Sequence, residues 1–325
     1  MSYYPIEATS ISELASLIDR PYKSPTNVKI DSVAAPEHAL NTSLIFLTSK
    51  KKILTASVVL TTENIATAMN IDAVIISQSP RLDFAKLIDQ LKFKKKSPSG
   101  KIASSSIISQ SASVAPSSTI GEYTSIGPNA VISEGVKIGK NTTIDPGAII
   151  LEGVEIGDNC TIQSGAVIGS CGFGYERTPE GHWYKIKHLA TVKLGNNVHV
   201  GANTTIDRGM LVNTVIGDGV KIDNQCQVAH NVSIGDNTIM AGCSGIAGST
   251  QVGKNCMIGG GVIIKDHITL TDGVIITGGS MLANDVTQPG IFSSGMNAIS
   301  NRKWLRNHRR LLNLDESLRA LEDER

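Results

Sequence analysis

An aliphatic residue stands at every sixth position over much of this chain. The first run comprises Val114, Ile120, Ile126, Ile132, Ile138, Ile144, Ile150, Ile156, Ile162 and Ile168. The spacing returns at Leu194, Val200 and Ile206, changes phase, and continues from Ile216 to Leu282. Neither an α-helix, with about 3.6 residues per turn, nor an alternating strand produces a period of six. A hexapeptide β-solenoid does, because each hexad supplies a short strand, a corner and one inward aliphatic side chain.

Three hexads would close one triangular coil, so residues about 18 positions apart should be vertical neighbours. Neighbouring coils should lie about 4.8 Å apart, the usual spacing of paired strands. The composition agrees with a narrow prism, since aromatic residues make up only 4% of the chain. The chain also has 31 glycines, and solenoid corners need residues that tolerate a positive φ angle. We therefore expect a mainly β protein built around a parallel β-helix of hexapeptide repeats.

The period divides the chain into three segments. Residues 1–100 lack it and are predicted to form a small α/β domain that ends in a lysine- and breaker-rich stretch, 94–100. Residues 101–290 form the solenoid, and residues 291–325 are predicted to be a helical extension with a leucine stripe suited to self-association. Within the first domain we predict a helix from Ser79 through Leu91 and three strands, Ser43–Thr48, Ser57–Thr61 and Asp72–Ser77.

Composition also narrows the possible partners and location. The formal net charge is +1, which favours neither nucleic acid nor a strongly charged membrane surface as a partner. No run of 18 apolar residues occurs, so we expect no membrane span. The five cysteines are scattered without a C-x-x-C pair, and the N-terminus lacks a signal-like segment. We expect reduced thiols, no bound metal or cofactor, and a cytoplasmic protein.

His230 is the strongest candidate for chemistry. It stands two residues after the inward Val228, and should therefore lie on the outer wall near a corner. Gly248 follows 18 residues later with the same offset from Ile246, so its backbone N–H should lie one coil above the imidazole. A general base beneath an open backbone donor is the pair that acyl transfer needs: one removes a proton and the other stabilises the oxyanion.

Two further residues could join this pair. His267 should lie on about the same wall, two coils above His230, at a distance of roughly 10 Å. Asp207 should lie just below His230 if residues 207–213 form a loop and Ile206 is the rung beneath Val228. It could then orient the ring, stabilise the imidazolium or contact substrate. If Val212 is the rung instead, this placement fails, and Asp207 could simply be a corner residue.

Residues 170–192, here called the aromatic excursion, abandon the period and hold four aromatic residues. A long loop in an otherwise economical solenoid is often functional. Phe173 and Tyr175 are therefore candidates for substrate binding. His182 and His188 could line a ligand groove, although both rank below His230.

Four stretches carry a family resemblance: residues 172–175 (GFGY), 204–209 (TTIDRG), 223–231 (DNQCQVAHN) and 292–295 (FSSG). Together they resemble the UDP-3-O-acylglucosamine N-acyltransferases of bacterial lipid A biosynthesis, over about residues 10–320. The resemblance implies a homotrimeric, left-handed β-helix with active sites between subunits. It implies transfer of a 3-hydroxyacyl chain from the phosphopantetheine of acyl carrier protein to the 2-amine of UDP-3-O-acylglucosamine.

The same resemblance suggests roles for individual residues. His230 matches the family's base, Gly248 its oxyanion donor and His267 a second assisting histidine, while Asn224 and Asn231 fall in a matching stretch and are taken as substrate-binding candidates. The uridine-binding pattern Phe-x-x-Asn-x-x-Tyr is altered here to Phe46, Ser49 and Lys52. Phe46 can still stack on a base, and the lysine could contact the diphosphate or be an ordinary surface charge.

The start of the C-terminal segment is basic and is predicted to bind the acidic carrier protein. The residues concerned are Arg302, Lys303, Arg306, Arg309 and Arg310. The alternative is that these residues pair with acidic groups of a neighbouring helix.

Other functions are conceivable on the same solenoid. An acetyl-CoA-dependent nucleotide-sugar acetyltransferase would need neither an acyl groove nor a carrier-protein surface. A zinc enzyme would need three converging histidines, and the closest histidine pair lies in the aromatic excursion. A non-catalytic solenoid would not be expected to align a histidine, a glycine and a second histidine on one wall.

Overall fold

The structure is a computed structural model that describes residues 3–50, 58–94, 99–295 and 298–323. It comprises two compact units, residues 1–293 and residues 294–325. Within the described ranges, no helix is both long and apolar enough to cross a lipid bilayer.

The N-terminal domain is a six-stranded mixed sheet with helices packed against it, counted over the described residues. The strand order is β1-β3-β4-β5-β6-β2. The elements are β1 (Tyr3–Ser10), α1 (Ile11–Leu17), β2 (Tyr22–Lys23), β3 (Lys29–Ala34), a 3-10 turn (Pro36–His38), β4 (Ser43–Phe46), β5 (Val58–Thr61), α2 (Glu63–Met69), β6 (Val74–Ile76) and α3 (Pro80–Gln90).

The three predicted strands of this domain correspond to β4, β5 and β6, and the predicted helix to α3. Ser79 is the N-cap of α3 and Pro80 its first residue, as the sequence indicates. Strands β1 and β3 and helix α2 were not predicted.

The solenoid follows as a succession of very short strands. In chain order these are β7 (Lys101–Ile102), β8 (Ile107–Ile108), β9 (Ser113–Val114), β10 (Thr119–Ile120), β11 (Ser125–Ile126), β12 (Val131–Ile132), β13 (Lys137–Ile138), β14 (Thr143–Ile144), β15 (Ile149–Ile150), β16 (Glu155–Ile156), β17 (Thr161–Ile162), β18 (Val167–Cys171), β19 (Tyr175–Arg177), β20 (Trp183–Lys185), β21 (Val192–Leu194), β22 (His199–Val200), β23 (Thr205–Arg208), β24 (Thr214–Ile216), β25 (Lys221–Ile222), β26 (Gln227–Val228), β27 (Ser233–Ile234), β28 (Ile239–Met240), β29 (Gly245–Ile246), β30 (Gln251–Val252), β31 (Met257–Ile258), β32 (Ile263–Ile264), β33 (Thr269–Leu270), β34 (Val274–Ile276), β35 (Met281–Leu282) and β36 (Gly290–Phe292).

These strands, apart from the antiparallel hairpin β19–β20, form three parallel sheets of nine, ten and nine strands in the described chain. Every third strand belongs to the same wall, so the prism is triangular. The wall that matters for function runs β9-β12-β15-β18-β23-β26-β29-β32-β35. Its inward aliphatics, such as Val228, Ile246 and Ile264, are almost completely buried and stack on one another in register. The predicted parallel β-solenoid is confirmed, while its left hand stays a prediction.

The phase change also has the predicted form. Ile206 pairs with Ile168 below and Val228 above, so Ile206 and not Val212 is the rung beneath Val228. Equivalent positions lie 18 residues apart in regular coils and 22 apart across this step. The extra residues lie within 207–213, where Asp207 and Arg208 extend β23 and residues 209–213 form the phase-change loop.

Both irregular segments hold the N-terminal domain on the solenoid. Leu211 of the phase-change loop is buried in that domain's core. Its carbonyl accepts a hydrogen bond from the Tyr4 hydroxyl at 3.1 Å. In the aromatic excursion, the Tyr184 hydroxyl donates to Asp89 of α3 at 2.6 Å, and Lys187 pairs with the same carboxylate at 2.7 Å.

The second unit is helical, as predicted, but its helix is interrupted. Helix α4 (Asn301–Leu312) ends at Asn313, and α5 (Leu314–Asp323) follows directly. Asn313 leaves the helical conformation with φ −98° and ψ 9°, so the predicted leucine stripe is divided between two helices.

Candidate active site

His230 lies at the corner that follows β26, pointing outward because Val228 points inward. Its Nδ1 lies 3.0 Å from Oδ1 of Asn231. The orientation of that amide is fixed by two other bonds: Oδ1 accepts from the Met210 N–H at 3.1 Å, and Nδ2 donates to the Val212 carbonyl at 2.7 Å. Because an amide oxygen only accepts, Nδ1 of His230 must carry the proton. In the neutral ring, Nε2 then has the free lone pair that a base requires.

Gly248 lies one coil above His230, where the 18-residue spacing predicted it. A Cβ atom built on Gly248 would come within 2.7 Å of Cε1 and 2.8 Å of Nε2 of His230. The imidazole therefore fills space that only a glycine leaves open.

The Gly248 N–H is also unoccupied. At corners such as Lys140 and Lys254, the corresponding N–H donates to an aspartate of the next coil. In the described part of the chain the Gly248 N–H has no acceptor, so it is available to a ligand.

His188 contacts the other side of the site, although the sequence ranks it below His230. Its ring packs edge-on against His230, with the ring centroids 5.1 Å apart and the planes at 63°. The side chain is buried. Burial, followed by the charge of His230, lowers the pKa of His188 from 6.5 to about 4, so this ring is neutral at physiological pH.

Asp207 lies on the coil below His230, as Ile206 pairs with Val228, but it does not hold the ring. Its carboxylate accepts hydrogen bonds from Ser170 Oγ and, at 2.8 Å, from Gln227 Nε2. The ring-orienting contact expected of Asp207 is made by Asn231 instead. Burial raises the pKa of Asp207, although both hydrogen bonds and the charge of His230 oppose that change. The other two predicted roles of Asp207, stabilising the imidazolium and contacting substrate, stay predictions.

His267 is largely exposed and has a left-handed backbone, with φ at 58°. Its amide N–H donates to the Gly248 carbonyl at 3.1 Å, which ties it to the same corner. Its Nε2 lies 4.0 Å from Oδ2 of Asp266. The side chain is therefore free to reach a ligand bound above Gly248.

Asn224 is not brought to His230 within this chain. It follows β25, at a different corner of the triangle, and its Oδ1 accepts a hydrogen bond from the Ala202 N–H at 2.6 Å. That bond ties two coils together. Asn231, in contrast, contacts His230 directly, and its side chain also bonds the Met210 N–H and the Val212 carbonyl. Its role in substrate binding stays a prediction.

The aromatic residues form a separate cavity. Phe173 and Tyr175 contact each other with ring centroids 5.0 Å apart, and Phe173 is 86% exposed. With Trp183 and Arg81 they line a cavity of about 360 Å³ between the β19–β20 hairpin and α3.

Two of the three residues of the altered uridine pattern, Phe46 and Ser49, are among the described residues. Phe46 ends β4, is half-buried, and packs against Phe84 with ring centroids 4.5 Å apart. One side of its ring is thus occupied by the protein. Ser49 is exposed, and Lys52 lies outside the described residues.

The predicted carrier-protein surface is on α4. All five basic side chains, Arg302, Lys303, Arg306, Arg309 and Arg310, are exposed. None of these five forms an ion pair within the ranges that the structure covers. In the same unit, Arg319 pairs with Asp315 at 3.0 Å.

Comparison with known proteins identifies the class. Models of the bacterial transferase hexapeptide match residues 135–170 and 213–248, and models of the succinyltransferase hexapeptide repeat match 191–208, 231–266 and 249–283. A crystal structure of UDP-N-acetylglucosamine acyltransferase from Bacteroides fragilis superposes with a TM-score of 0.52 at 27% identity, covering 62% of this chain and 78% of that one. The fold is thus that of the hexapeptide-repeat acyltransferases.

Curated relatives narrow this to one family. UDP-3-O-acylglucosamine N-acyltransferase of Coxiella burnetii (strain RSA 493 / Nine Mile phase I) is 40% identical over 329 residues, covering 96% of both chains. The enzyme of the same name from Colwellia psychrerythraea is 55% identical over 157 residues, 48% of this chain and 45% of that protein. The chain belongs to the UDP-3-O-acylglucosamine N-acyltransferase family, and it is an acyltransferase.

Proposed function

We propose that this chain transfers a 3-hydroxyacyl group from acyl carrier protein to the 2-amine of UDP-3-O-acylglucosamine, a cytoplasmic step of lipid A biosynthesis. The observation that carries the proposal is the geometry at one corner of the solenoid. Nε2 of His230, the unprotonated nitrogen of the neutral ring because Nδ1 donates to Asn231, lies against Gly248, whose N–H has no acceptor in the described chain.

The chemistry follows from these two groups. The neutral amine attacks the thioester carbonyl carbon while Nε2 of His230 removes a proton from the nitrogen. The resulting oxyanion accepts a hydrogen bond from the Gly248 N–H. As the intermediate collapses, the C–N bond remains and the C–S bond breaks. The imidazolium returns its proton to the departing pantetheine sulfur, so the products are an amide and a free thiol.

The remaining candidates are assigned to binding. Phe46 stacks one face on the uracil, with Ser49 and Lys52 near the nucleotide, and Phe173 and Tyr175 bind the substrate beside the aromatic excursion. His267, tied to the Gly248 corner, assists donor or acceptor binding. The exposed basic side chains of α4 dock the acidic carrier protein by electrostatic attraction.

The active unit is proposed to be a homotrimer, with sites completed between subunits. Exposed leucines in the second unit, including Leu311, Leu314 and Leu318, support self-association. A site completed by a neighbouring subunit would also give Asn224 a route to the substrate, since it lies at another corner of its own chain.

A donor assay tests the proposal against an acetyl-CoA-dependent transferase. The purified protein is incubated with UDP-3-O-acylglucosamine and either 3-hydroxyacyl carrier protein or acetyl-CoA, and the products are identified by mass spectrometry. We expect an amide product from the carrier protein alone. His230→Ala should lower kcat by about 10²- to 10⁴-fold, the usual contribution of a general base, without changing the melting temperature. A product from acetyl-CoA, or a kcat above about a tenth of wild type in the variant, would contradict it.

A further inference from the structure

His188 is a buried histidine that the acyl-transfer chemistry does not use, although it contacts the base. It lies near the end of the aromatic excursion and is only 7% exposed. Two glycines of the same excursion leave space for it. A Cβ on Gly174 would come within 2.7 Å of its Cε1, and a Cβ on Gly172 within 2.8 Å of its Nε2.

The protonation state of His188 is set by its surroundings. Its Nδ1 lies 3.2 Å from the Ile186 carbonyl oxygen, which can only accept, so Nδ1 carries the proton and Nε2 is an acceptor. Burial disfavours a charge on the ring, and Arg208, Lys185 and, when it is protonated, His230 disfavour it further. His188 is therefore a neutral ring, with its acceptor nitrogen on the side of Gly172.

That acceptor side faces His230. The same hypothetical Cβ on Gly172 would lie 2.8 Å from Cδ2 and 2.6 Å from Cβ of His230. Gly172 thus lies beside both Nε2 of His188 and the Cδ2 side of His230, while Gly248 lies beside Cε1 and Nε2 of His230. With Asn231 bound to Nδ1, the His230 ring has protein neighbours at Nδ1, beside Cδ2 and beside Cε1.

We propose that His188 is a positioning residue for His230, a neutral ring that supports the Cδ2 edge of the base and keeps Nε2 directed towards Gly248. The role rests on the proposed function of His230. The Asn231 bond fixes Nδ1 but leaves the ring able to tilt about the line through Cβ and Nδ1, because a single hydrogen bond does not define a plane. The edge-on contact with His188 removes this freedom. Because His188 is neutral, it does not repel the positive charge that forms on His230 during the reaction. A second cation at this position would repel it.

The test uses variants at three positions, each assayed with acyl carrier protein and UDP-3-O-acylglucosamine. His188→Ala removes the support, and His188→Gln restores an acceptor and most of the volume. Glu180→Ala is the matched control, since Glu180 is an exposed residue of the same excursion. We expect His188→Ala to lower kcat about tenfold, because misplacement by about 1 Å can cost up to 10²-fold. Both KM values should stay within about twofold, His188→Gln should recover most of kcat, and Glu180→Ala should resemble wild type.

The double variant His188→Ala/His230→Ala separates a positioning role from a structural one. If His188 acts through His230, the double variant should be no slower than His230→Ala alone. An unchanged kcat in His188→Ala, or an equal further loss in the His230→Ala background, would overturn the proposal while leaving the base intact. Full activity of His230→Ala itself would instead overturn the proposed function.

Discussion

Gly248→Ala is a one-methyl change that should strongly lower the turnover of this enzyme without unfolding it. The φ angle of Gly248 is not positive, so alanine meets no backbone strain there. The added Cβ would, however, lie 2.7 Å from Cε1 and 2.8 Å from Nε2 of His230. The substitution therefore acts on the imidazole and not on the solenoid.

The size of the effect follows from these distances. Nonbonded carbon atoms rest about 3.5–4.0 Å apart, so the imidazole must withdraw by about 1 Å. His188 packs against the ring and Asn231 holds Nδ1, so withdrawal of the ring disturbs at least one of these contacts. A displacement of about 1 Å can cost roughly 10²-fold in rate. We expect kcat to fall by about that factor, although the Gly248 N–H itself is retained.

Gly245→Ala is the matched control. Gly245 lies three residues earlier on the same wall, also without a positive φ, and a Cβ there would have no atom within 4 Å. Steady-state acyl transfer and thermal unfolding should be measured for both variants. Gly245→Ala should resemble wild type in both. Any loss of stability in Gly248→Ala should vanish when His230→Ala is added, because the clash partner is then gone. If Gly248→Ala kept kcat within about twofold of wild type, the close packing of the base against this glycine would have no bearing on catalysis.

Three further results are expected. Reversing Arg306 and Arg309 to Glu should raise KM for acyl carrier protein and flatten its salt dependence, yet hardly affect a small acyl-pantetheine donor; equal losses with both donors would indicate a structural role. Light scattering at micromolar concentration should give a trimeric mass, and a monomeric mass would contradict the shared site. The depressed pKa of His188, about 4 against 6.5, means that the unfolded chain binds more protons between these values. The contribution of His188 to the free energy of unfolding is therefore fully present above pH 6.5 and is lost as the pH falls towards 4. Between pH 7.5 and 5 the free energy of unfolding should fall by about 2 kcal/mol from this source, at about 1.36 kcal/mol per pKa unit. Denaturant unfolding at both pH values measures the change, which should be absent in His188→Gln.

The six-residue period makes the solenoid predictable at the level of single residues. Each inward aliphatic is a rung, and the spacing of 18 is sufficient to place Gly248 one coil above His230. This works because a parallel solenoid converts sequence separation directly into height along one axis. The short corners add a second rule: in the regular coils between Ile120 and Ile276, the third residue after a rung adopts a positive φ angle, which explains most of the asparagines and glycines there.

The rest of the site could not be predicted, because it comes from segments that break the period. Within the aromatic excursion, sequence separation no longer measures height, so nothing in the sequence placed His188 beside His230. The only signal was the pair Gly172 and Gly174, whose missing side chains make room for both rings. The contact of Asn231 with His230 could not be predicted for a related reason: the partners that fix its amide, Met210 and Val212, belong to the phase-change loop.

The same two irregular segments connect the N-terminal domain to the base. Met210 and Val212 fix the amide of Asn231, while Leu211 between them is buried in the core of the N-terminal domain. Likewise, the excursion that carries His188 is bound through Tyr184 to α3. A shift of the N-terminal domain would therefore displace both neighbours that orient His230. Regular hexads provide a rigid wall, but only the two interruptions can make the position of the imidazole depend on the domain proposed to hold the nucleotide.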